Sequence, residues 1–357
     1  MSLYKHSIIY TIAHSMYAYS QLEQFIYSQI PAGLVWQSRI QPITRYADLP
    51  SGALLQMKRE DEMGMISGSK TRKYASLQPY FRRNGFDTLV AAGGEHSNNL
   101  MGLTLLAREM NMGIHFVVPE SHQSQLKGNM LWRQLCMVPS QDRLHTLPRS
   151  EYPPSSDYVF TLLNTIEAQG LNPVYLPEGC AMIEAIPGAM TLCLDVVRNC
   201  MENDTEFEHI FIDSGTGLQA ISFLSGLAEL WPYIVLPKVY VTLIAGTEAE
   251  FRHKAEILAN AFDEKYHHKI NPMQNHITFI YPPTAVSFGQ VNKTILNQVR
   301  KMATTEGILL DPIYGIKHAM ATVNEINKRQ LKGNILMINS GNAIGLTGFQ
   351  EQLKELL

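Results

Sequence analysis

The 357-residue sequence has little cysteine, little net charge and no long apolar run, and each of these absences excludes a class of protein. Its 4 cysteines form no CxxC pair, which argues against a zinc site or a disulfide framework and favours reduced thiols in the cytoplasm. A formal net charge of -3 gives no strong attraction for nucleic acid or for an anionic membrane. Because no run reaches about 18 apolar residues, we expect no membrane-spanning helix.

Residues 1–40 carry no motif that we can assign to a function. The stretch from Tyr4 to Tyr27 mixes apolar side chains with polar and charged ones and lacks a small-residue cleavage site, so it does not fit a signal peptide. We interpret this stretch as an amphipathic helix that packs on the body of the protein or on a partner chain.

The rest of the chain has the pattern of an α/β protein. Hydrophobic residues make up 45% and charged residues 17% of the sequence, and its length predicts two domains or one large α/β unit. A short apolar run, a glycine-bearing turn and a stretch with helical spacing alternate repeatedly, as in a parallel sheet flanked by helices. The apolar runs are DTLVAAGG, MGIHFVVPE, LNPVYLPEG, FEHIFIDSGTG, KVYVTLIAG and GNILMINSGN. Ligands of such sheets bind beyond the carboxyl ends of the strands, which points to the turns GGEHSN, SGTG and NSGN.

The segment MISGSKTRKYASL places Lys70, Arg72 and Lys73 within one turn, just ahead of a helical pattern. Neighbouring cations destabilise an ammonium group, which lowers its pKa and exposes the neutral amine that a Schiff base requires. The same run is also typical of the solvated start of a helix. On the residues alone, both interpretations stay open.

The segment LVAAGGEHSNNL predicts a strand, a tight turn and a helix, with Ser97 and Asn98 at the helix N-terminus. Free backbone amides at such a position attract a carboxylate or a phosphate. The alternative is that the two side chains only cap the helix.

The segment HIFIDSGTGLQA also predicts a strand, a glycine-rich turn and a helix, so its backbone amides can cradle a phosphate. Gly215, Gly217 and Ala220 fit the loose dinucleotide fingerprint GxGxxA, which keeps a nicotinamide-dependent oxidoreductase as an alternative. The nearest acids for the ribose, Glu248 and Glu250, lie farther along the chain than that fingerprint requires.

The segment EGILLDPIYGIKHAM places Tyr314 in a turn after an apolar strand, where Asp311 and Pro312 fix the approach of the chain. A phenol in such a turn can point into a cleft and donate a proton. A buried tyrosine with an ordinary hydrogen bond is the alternative.

Together these segments resemble the family of 1-aminocyclopropane-1-carboxylate (ACC) deaminase and D-cysteine desulfhydrase, in both order and spacing. The family's lysine motif GGNKxRK is similar to Ser67–Lys73, and its GGIQSN turn to Gly93–Asn98. Its DPVYxGK motif resembles Asp311–Lys317, and its C-terminal HTGG or HLGG resembles Asn339–Asn342. The resemblance extends over most of the chain after residue 41.

The family resemblance implies a pyridoxal phosphate (PLP) enzyme with the tryptophan synthase beta-subunit fold, called fold type II. Lys70 would carry the cofactor as a Schiff base, Asn98 would hold its phenolic oxygen, and Ser340 would face its pyridine nitrogen. Ser97 would bind the substrate carboxylate or assist at the α-carbon, and Tyr314 would exchange a proton. The implied catalytic set is Lys70, Ser97 and Tyr314, and the cofactor-binding set is Lys70, Lys73, Asn98, Ser214, Gly215, Thr216, Gly217, Leu218 and Ser340.

The resemblance also implies the organisation of the protein. A small domain, residues 74–180, would be inserted into a large PLP-binding domain formed by residues 1–73 and 181–357, and two copies would pair as a homodimer. The expected reaction is PLP-dependent β-elimination or deamination of a small amino acid to a 2-oxo acid and ammonia, as in D-cysteine desulfhydrase. The corresponding enzyme classes are lyase, deaminase and hydrolase. The alternatives are an ACC deaminase, a catalytically degenerate member that binds PLP or an amino acid and, more remotely, an NAD-dependent oxidoreductase.

Several residues depart from the family pattern. Gly315 stands where the deaminases have an acid and the desulfhydrases a threonine, while Leu218 and Ile316 replace a threonine and a glycine. Ser340 has a hydroxyl, as the desulfhydrases do at this position. A neutral hydroxyl partner leaves the pyridine nitrogen unprotonated, a weaker electron sink that suits loss of a good leaving group such as thiolate.

Overall fold

The computed structural model describes residues 18–34, 36–64, 66–120, 126–230 and 236–356. Within these ranges the strands form a six-stranded sheet and a four-stranded sheet. The strands are β1 (Ile40–Pro42), β2 (Ala53–Arg59), β3 (Thr88–Ala92), β4 (Gly113–Pro119), β5 (Arg143–Leu147), β6 (Pro173–Leu176), β7 (His209–Ser214), β8 (Lys238–Leu243), β9 (Ile277–Ile280) and β10 (Gly333–Asn339).

Helices connect most of these strands. They are α1 (residues 18–29), α2 (Lys70–Arg83), α3 (Asn98–Glu109), α4 (Asn129–Cys136), α5 (Ser156–Glu167), α6 (Ile186–Asn203), α7 (Leu218–Glu229), α8 (Glu248–Tyr266), α9 (Lys293–Glu306), α10 (Gly315–Arg329) and α11 (Gln350–Lys354). Short 3-10 helices cover Glu60–Met63, Arg149–Glu151, Glu178–Cys180, Ile183–Ala185, Pro272–Gln274 and Ala343–Phe349.

Both sheets are mainly parallel. The large sheet has the order β1-β2-β10-β7-β8-β9, in which only the β1–β2 pair is antiparallel, and the small sheet is the parallel set β5-β4-β3-β6. Every residue of β3 is buried, as expected for a strand covered on both faces. The predicted α/β class is therefore confirmed, and each of the six predicted apolar runs contains a strand.

The N-terminal helix α1 packs on the body of the protein. Leu22, Ile26 and Ile30, spaced four residues apart, are buried in the main hydrophobic core. On its polar side, Glu23 forms an ion pair of 3.3 Å with Arg198 of α6. The amphipathic-helix prediction is confirmed for residues 18–29, whereas residues 1–17 lie outside the described part of the chain. Among the described helices, none is long and apolar enough to cross a bilayer.

A buried ion network fixes the start of α2. Arg72 is fully buried and bonds the carboxylates of Glu60, at 2.5 Å, and Asp195. Lys58 of β2 lies 2.8 Å from the other oxygen of Asp195. Two cations and two anions thus neutralise one another inside the core, which a buried charge requires. Arg72 lies in the first turn of α2 with Lys70 and Lys73, as predicted, but its side chain belongs to this network and does not line the cavity that the two lysines share.

Candidate active site

One cavity of about 590 Å³ lies where loops from both sheets meet. Each residue that the sequence predicts for the site contributes to its lining. These residues are Lys70, Lys73, Ser97, Asn98, Ser214, Gly215, Thr216, Gly217, Leu218, Tyr314 and Ser340. The fold therefore brings together turns that lie up to hundreds of residues apart in the sequence.

The turn ahead of Lys70 packs on the turn that follows β10. The backbone N–H of Ser69 donates to the carbonyl of Ser340 at 2.9 Å, and Lys70 begins α2 immediately afterwards. Gly68 has a φ of 51°, and a Cβ on it would lie 2.3 Å from that carbonyl oxygen. Only glycine permits this approach, so Gly68 sets the position from which Lys70 enters the cavity.

Burial lowers the pKa of the Lys70 amine, and the charges of Asp213 and Asp311 act in the opposite direction. The direction of this shift agrees with the sequence prediction, but its cause differs. Desolvation of the ammonium group is the dominant cause, whereas the prediction was based on neighbouring cations. Lowering the pKa increases the fraction of the neutral amine, which is the nucleophilic form.

The turn from Ser214 to Leu218 forms an anion cradle. Gly217, with a φ of 96°, precedes α7, whose first turn has no side-chain cap in the structure. Its backbone amides are therefore directed at the cavity with the positive end of the helix dipole. The hydroxyl of Ser214 is buried, and among the described residues it has no hydrogen-bond partner.

Lys73 lies at the edge of this cradle. Its amine donates to the carbonyl of Gly179 at 2.5 Å, and burial lowers its pKa to about 8. Gly179 has a φ of 71°, and a Cβ there would lie 2.1 Å from the hydroxyl of Thr216. The Gly179 turn therefore packs tightly on the cradle. A second lysine, Lys254 of α8, donates to the carbonyl of Thr216 at 2.8 Å.

Ser97 and Asn98 mark the start of α3, as predicted. The hydroxyl of Ser97 accepts hydrogen bonds from the backbone N–H groups of Asn99 at 3.1 Å and Leu100 at 3.3 Å, so Ser97 is the N-cap. The side-chain oxygen of Asn98 accepts a bond of 2.5 Å from the amide of Asn129. This bond orients Asn98, and its own amide group is the donor that can serve an acceptor in the cavity.

Tyr314 precedes α10 and reaches the anion cradle. The carboxylate of Asp311 accepts three backbone N–H groups, from Ile313 at 2.9 Å, Tyr314 at 2.8 Å and Gly315 at 2.9 Å. This turn holds the tyrosine ring so close to Gly215 that a Cβ on the glycine would lie 2.8 Å from the ring. Burial raises the pKa of the phenol, which keeps it protonated at neutral pH.

Sequence reasoning missed several residues of the cavity. Asp213, the last residue but one of β7, accepts a hydrogen bond of 3.2 Å from the hydroxyl of Ser340. Its position directly before the glycine turn was a usable signal, because polar residues at strand ends line ligand sites. Asn129 and Gly179 lie outside any recognised motif, and only the fold brings them to the cavity.

The nicotinamide alternative gains no support from the geometry. Glu250 accepts from the backbone N–H of Thr247 at 2.7 Å and closes the capping box of α8. Glu248 forms an ion pair of 2.8 Å with Arg252. Both acids that could have held a ribose are engaged in the first turns of the helix.

The cavity fits a phosphorylated aldehyde such as PLP. It combines a buried amine with a lowered pKa, at Lys70, and a glycine cradle whose Ser214 hydroxyl has no partner among the described residues. The amine matches an aldehyde carbon, and the cradle with Lys73 matches a phosphate. Both are parts of one cavity.

Solved structures and curated relatives resemble this chain over most of its length. No protein-family model matches the chain. A crystal structure described as an ACC deaminase homologue superposes with a TM-score of 0.77 at 22% identity, covering 93% of this chain and 98% of that one. The fold is that of the fold type II PLP enzymes, as predicted.

Curated relatives of known name are similar to this chain in sequence as well. A bifunctional D-cysteine desulfhydrase/ACC deaminase of Arabidopsis thaliana is 26% identical over 88% of this chain and 79% of its own length. A D-cysteine desulfhydrase of Serratia proteamaculans is 26% identical over 88% of this chain and 94% of its own. The predicted resemblance to the D-cysteine desulfhydrases and ACC deaminases is confirmed over most of the chain. Their names support a lyase or deaminase, and the hydrolase class that was predicted beside these is not supported.

Proposed function

We propose that this protein is a PLP-dependent enzyme that carries out β-elimination and deamination of a small amino acid, as D-cysteine desulfhydrase does. The observation that supports the proposal most strongly is the position of the buried Lys70 amine, in one cavity with the anion cradle of residues 214–218 and the phenol of Tyr314. Relatives named as desulfhydrase and deaminase support the same reaction class.

Each part of the cofactor has a proposed partner in the cavity. Lys70 attaches it through its amine, while the backbone amides of residues 214–218, the Ser214 hydroxyl and Lys73 hold its phosphate. The amide of Asn98 binds its phenolic oxygen, and Ser340 lies on the pyridine side. When bound, PLP supplies an electron sink that stabilises negative charge at the α-carbon of an amino acid.

The remaining chemistry is proton transfer by side chains of this chain. The Lys70 amine, with its lowered pKa, is the base that we assign to the α-hydrogen. The Tyr314 phenol, with its raised pKa, holds a proton that it can give to the departing group. The N-terminus of α3, with the Ser97 hydroxyl, offers donors to the substrate carboxylate. For D-cysteine the net reaction consumes water and releases pyruvate, ammonia and sulfide.

We also propose the domain boundaries, the oligomeric state and the location of this protein in the cell. The inserted small domain, residues 74–180, contains all four strands of the small sheet, and the large domain is formed by residues 1–73 and 181–357. Two copies form a homodimer in the cytoplasm. Limited proteolysis, light scattering and cell fractionation measure these three properties separately.

A panel of small D- and L-amino acids, with ACC included, tests the proposed reaction. The protein is first saturated with PLP, and 2-oxo acid, ammonia and sulfide are then measured. We expect release of 2-oxo acid and ammonia in equal amounts, and sulfide in the same amount from D-cysteine. The Lys70→Ala variant serves as the control that loses turnover. No product from any member of the panel would contradict the proposed activity.

A catalytically degenerate member is the second candidate, and the residues Leu218, Gly315 and Ile316 favour it because they depart from the family pattern. Leu218 begins α7 and is buried, so it adds no hydroxyl to the anion cradle. Such a protein would take up PLP at Lys70 and shift its absorbance with an amino acid, but release no 2-oxo acid. The same panel, read by both absorbance and product, separates the two functions.

A further inference from the structure

The carboxylate of Asp213 and the hydroxyl of Ser340 meet at one point of the cavity wall. They follow the neighbouring parallel strands β7 and β10, in which Met337 lies opposite Phe211. The two carboxyl ends therefore finish side by side, and the Ser340 hydroxyl donates to Asp213 at 3.2 Å. Ser340 is the residue that the proposed function places on the pyridine side of the cofactor.

Asp311 is a second aspartate of the cavity lining, and comparing it with Asp213 shows which of these two carboxylates is available to a ligand. The carboxylate of Asp311 accepts three backbone N–H groups at the start of α10, which compensate its charge. Within the part of the chain that the structure describes, the hydroxyl of Ser340 is the one group of another residue that donates a hydrogen bond to the Asp213 carboxylate. Among the described residues, no Lys, Arg or His lies within the 4.0 Å of an ion pair with Asp213.

The surroundings of Asp213 do not fully compensate the negative charge of its carboxylate. Burial raises the pKa of its carboxyl, opposed first by the charge of Lys70 and then by the Ser340 bond. A buried carboxylate without an adjacent cation is costly, and a ligand that brings a cation or a proton removes that cost. Lys70 itself is assigned to attach the cofactor, so it does not remain a free ammonium group.

We propose that Asp213, rather than the neighbouring hydroxyl of Ser340, is the partner of the pyridine nitrogen of PLP, so that this nitrogen is protonated in the bound cofactor. The inference rests on the proposed function, because it requires PLP attached at Lys70. It also changes the expectation based on Ser340 alone, which treated the pyridine partner as a neutral hydroxyl.

The consequence for the chemistry is a stronger electron sink. A protonated ring draws more negative charge from the α-carbon than a neutral one. The restriction to excellent leaving groups, which the hydroxyl of Ser340 suggested, is therefore lifted. Asp213 acts here on the cofactor's protonation, and its effect is visible without any substrate.

Nitrogen-15 NMR of the holoprotein, loaded with PLP labelled at the ring nitrogen, tests the inference. Borohydride reduction of a parallel sample, followed by peptide mass mapping, shows that the label occupies Lys70 in each variant. We expect the upfield resonance of a protonated nitrogen in the natural protein and a downfield shift to the neutral position in Asp213→Asn. The Ser340→Ala variant retains Asp213, and its nitrogen stays protonated.

A neutral nitrogen in the natural protein overturns the inference, even if the asparagine variant fails to fold. An unchanged protonated resonance in Asp213→Asn, or a neutral one in Ser340→Ala, overturns it as well, since the proton would then depend on another group. In these three cases PLP is still attached at Lys70, so the proposed function survives. Absence of any attached PLP overturns both.

Discussion

Substituting Gly215 with alanine separates the position of the Tyr314 phenol from every other property of the site. Gly215 is not among the residues with positive φ, so its backbone conformation accepts alanine without strain. The new Cβ, however, would lie 2.8 Å from Cε1 and 3.0 Å from the hydroxyl oxygen of Tyr314. Carbon atoms in contact are about 3.5 Å apart, so the ring must retreat by roughly 0.7 Å.

A displacement of this size at a proton-donating group costs on the order of 10²-fold in turnover. We therefore expect Gly215→Ala to lose about that factor in kcat while it retains PLP, because the cradle amides belong to the backbone. The assay compares product release with the absorbance of the bound cofactor in the same samples. Wild-type turnover in a fully loaded Gly215→Ala protein would refute the assigned position of Tyr314.

Gly64→Ala is the matched control. Gly64 has extended backbone, with a φ of 171°, and a Cβ there would lie at an ordinary 3.4 Å from the hydroxyl of Thr71. It does not line the cavity. We expect this variant to keep both its cofactor and its turnover, so that a loss in Gly215→Ala cannot be assigned to glycine replacement in general.

Three further predictions follow from the buried charges and from Tyr314. Arg72→Ala removes the cation that bonds the buried carboxylates of Glu60 and Asp195 and should lower the free energy of unfolding by about 3–5 kcal/mol in denaturant titrations. Arg82→Ala, at an exposed position of the same helix, should change it by less than about 0.5 kcal/mol. With a pKa of about 8, the Lys73 amine is cationic below that pH and neutral above it. The affinity for PLP, measured by equilibrium titration, should therefore fall as the pH rises through 8. This part of the pH dependence should vanish in Lys73→Gln. Tyr314→Phe should retain PLP and lose about 10²–10⁴-fold in kcat; an unchanged kcat would remove the phenol from the mechanism.

The parallel strands in the core of the fold could be predicted because each one shows a local pattern of apolar residues in the sequence. Strands such as β7 and β8 are continuous apolar runs that end in glycine turns, and these were predicted correctly. The strands that the sequence did not reveal are shorter or less apolar. β1 has 3 residues and β9 has 4, β5 is an edge strand with mostly exposed side chains, and β2 ends in the buried Lys58 and Arg59. No local pattern distinguishes these from loops.

The residues of the site fall into the same two groups, those that a local sequence pattern indicates and those that only the fold reveals. Lys70, Ser97 and Tyr314 stand in motifs with fixed spacing, so the chain itself indicates them. The direction in which Arg72 points could not be predicted, because its partner Asp195 lies 123 residues away along the chain. Asn129 gains its importance only from its contact with Asn98 across the cavity, which spacing does not encode.

The central claim is the covalent attachment of PLP to Lys70, and reduction with borohydride measures it directly. The natural protein is incubated with PLP, reduced, digested and mapped by mass spectrometry, with Lys70→Ala and Lys73→Gln treated in parallel. For the natural protein and for Lys73→Gln we predict a visible absorbance band that reduction abolishes, and the mass of the cofactor added to the peptide that contains Lys70. For Lys70→Ala we predict neither. Cofactor mass found on another lysine, or on none, would contradict the account.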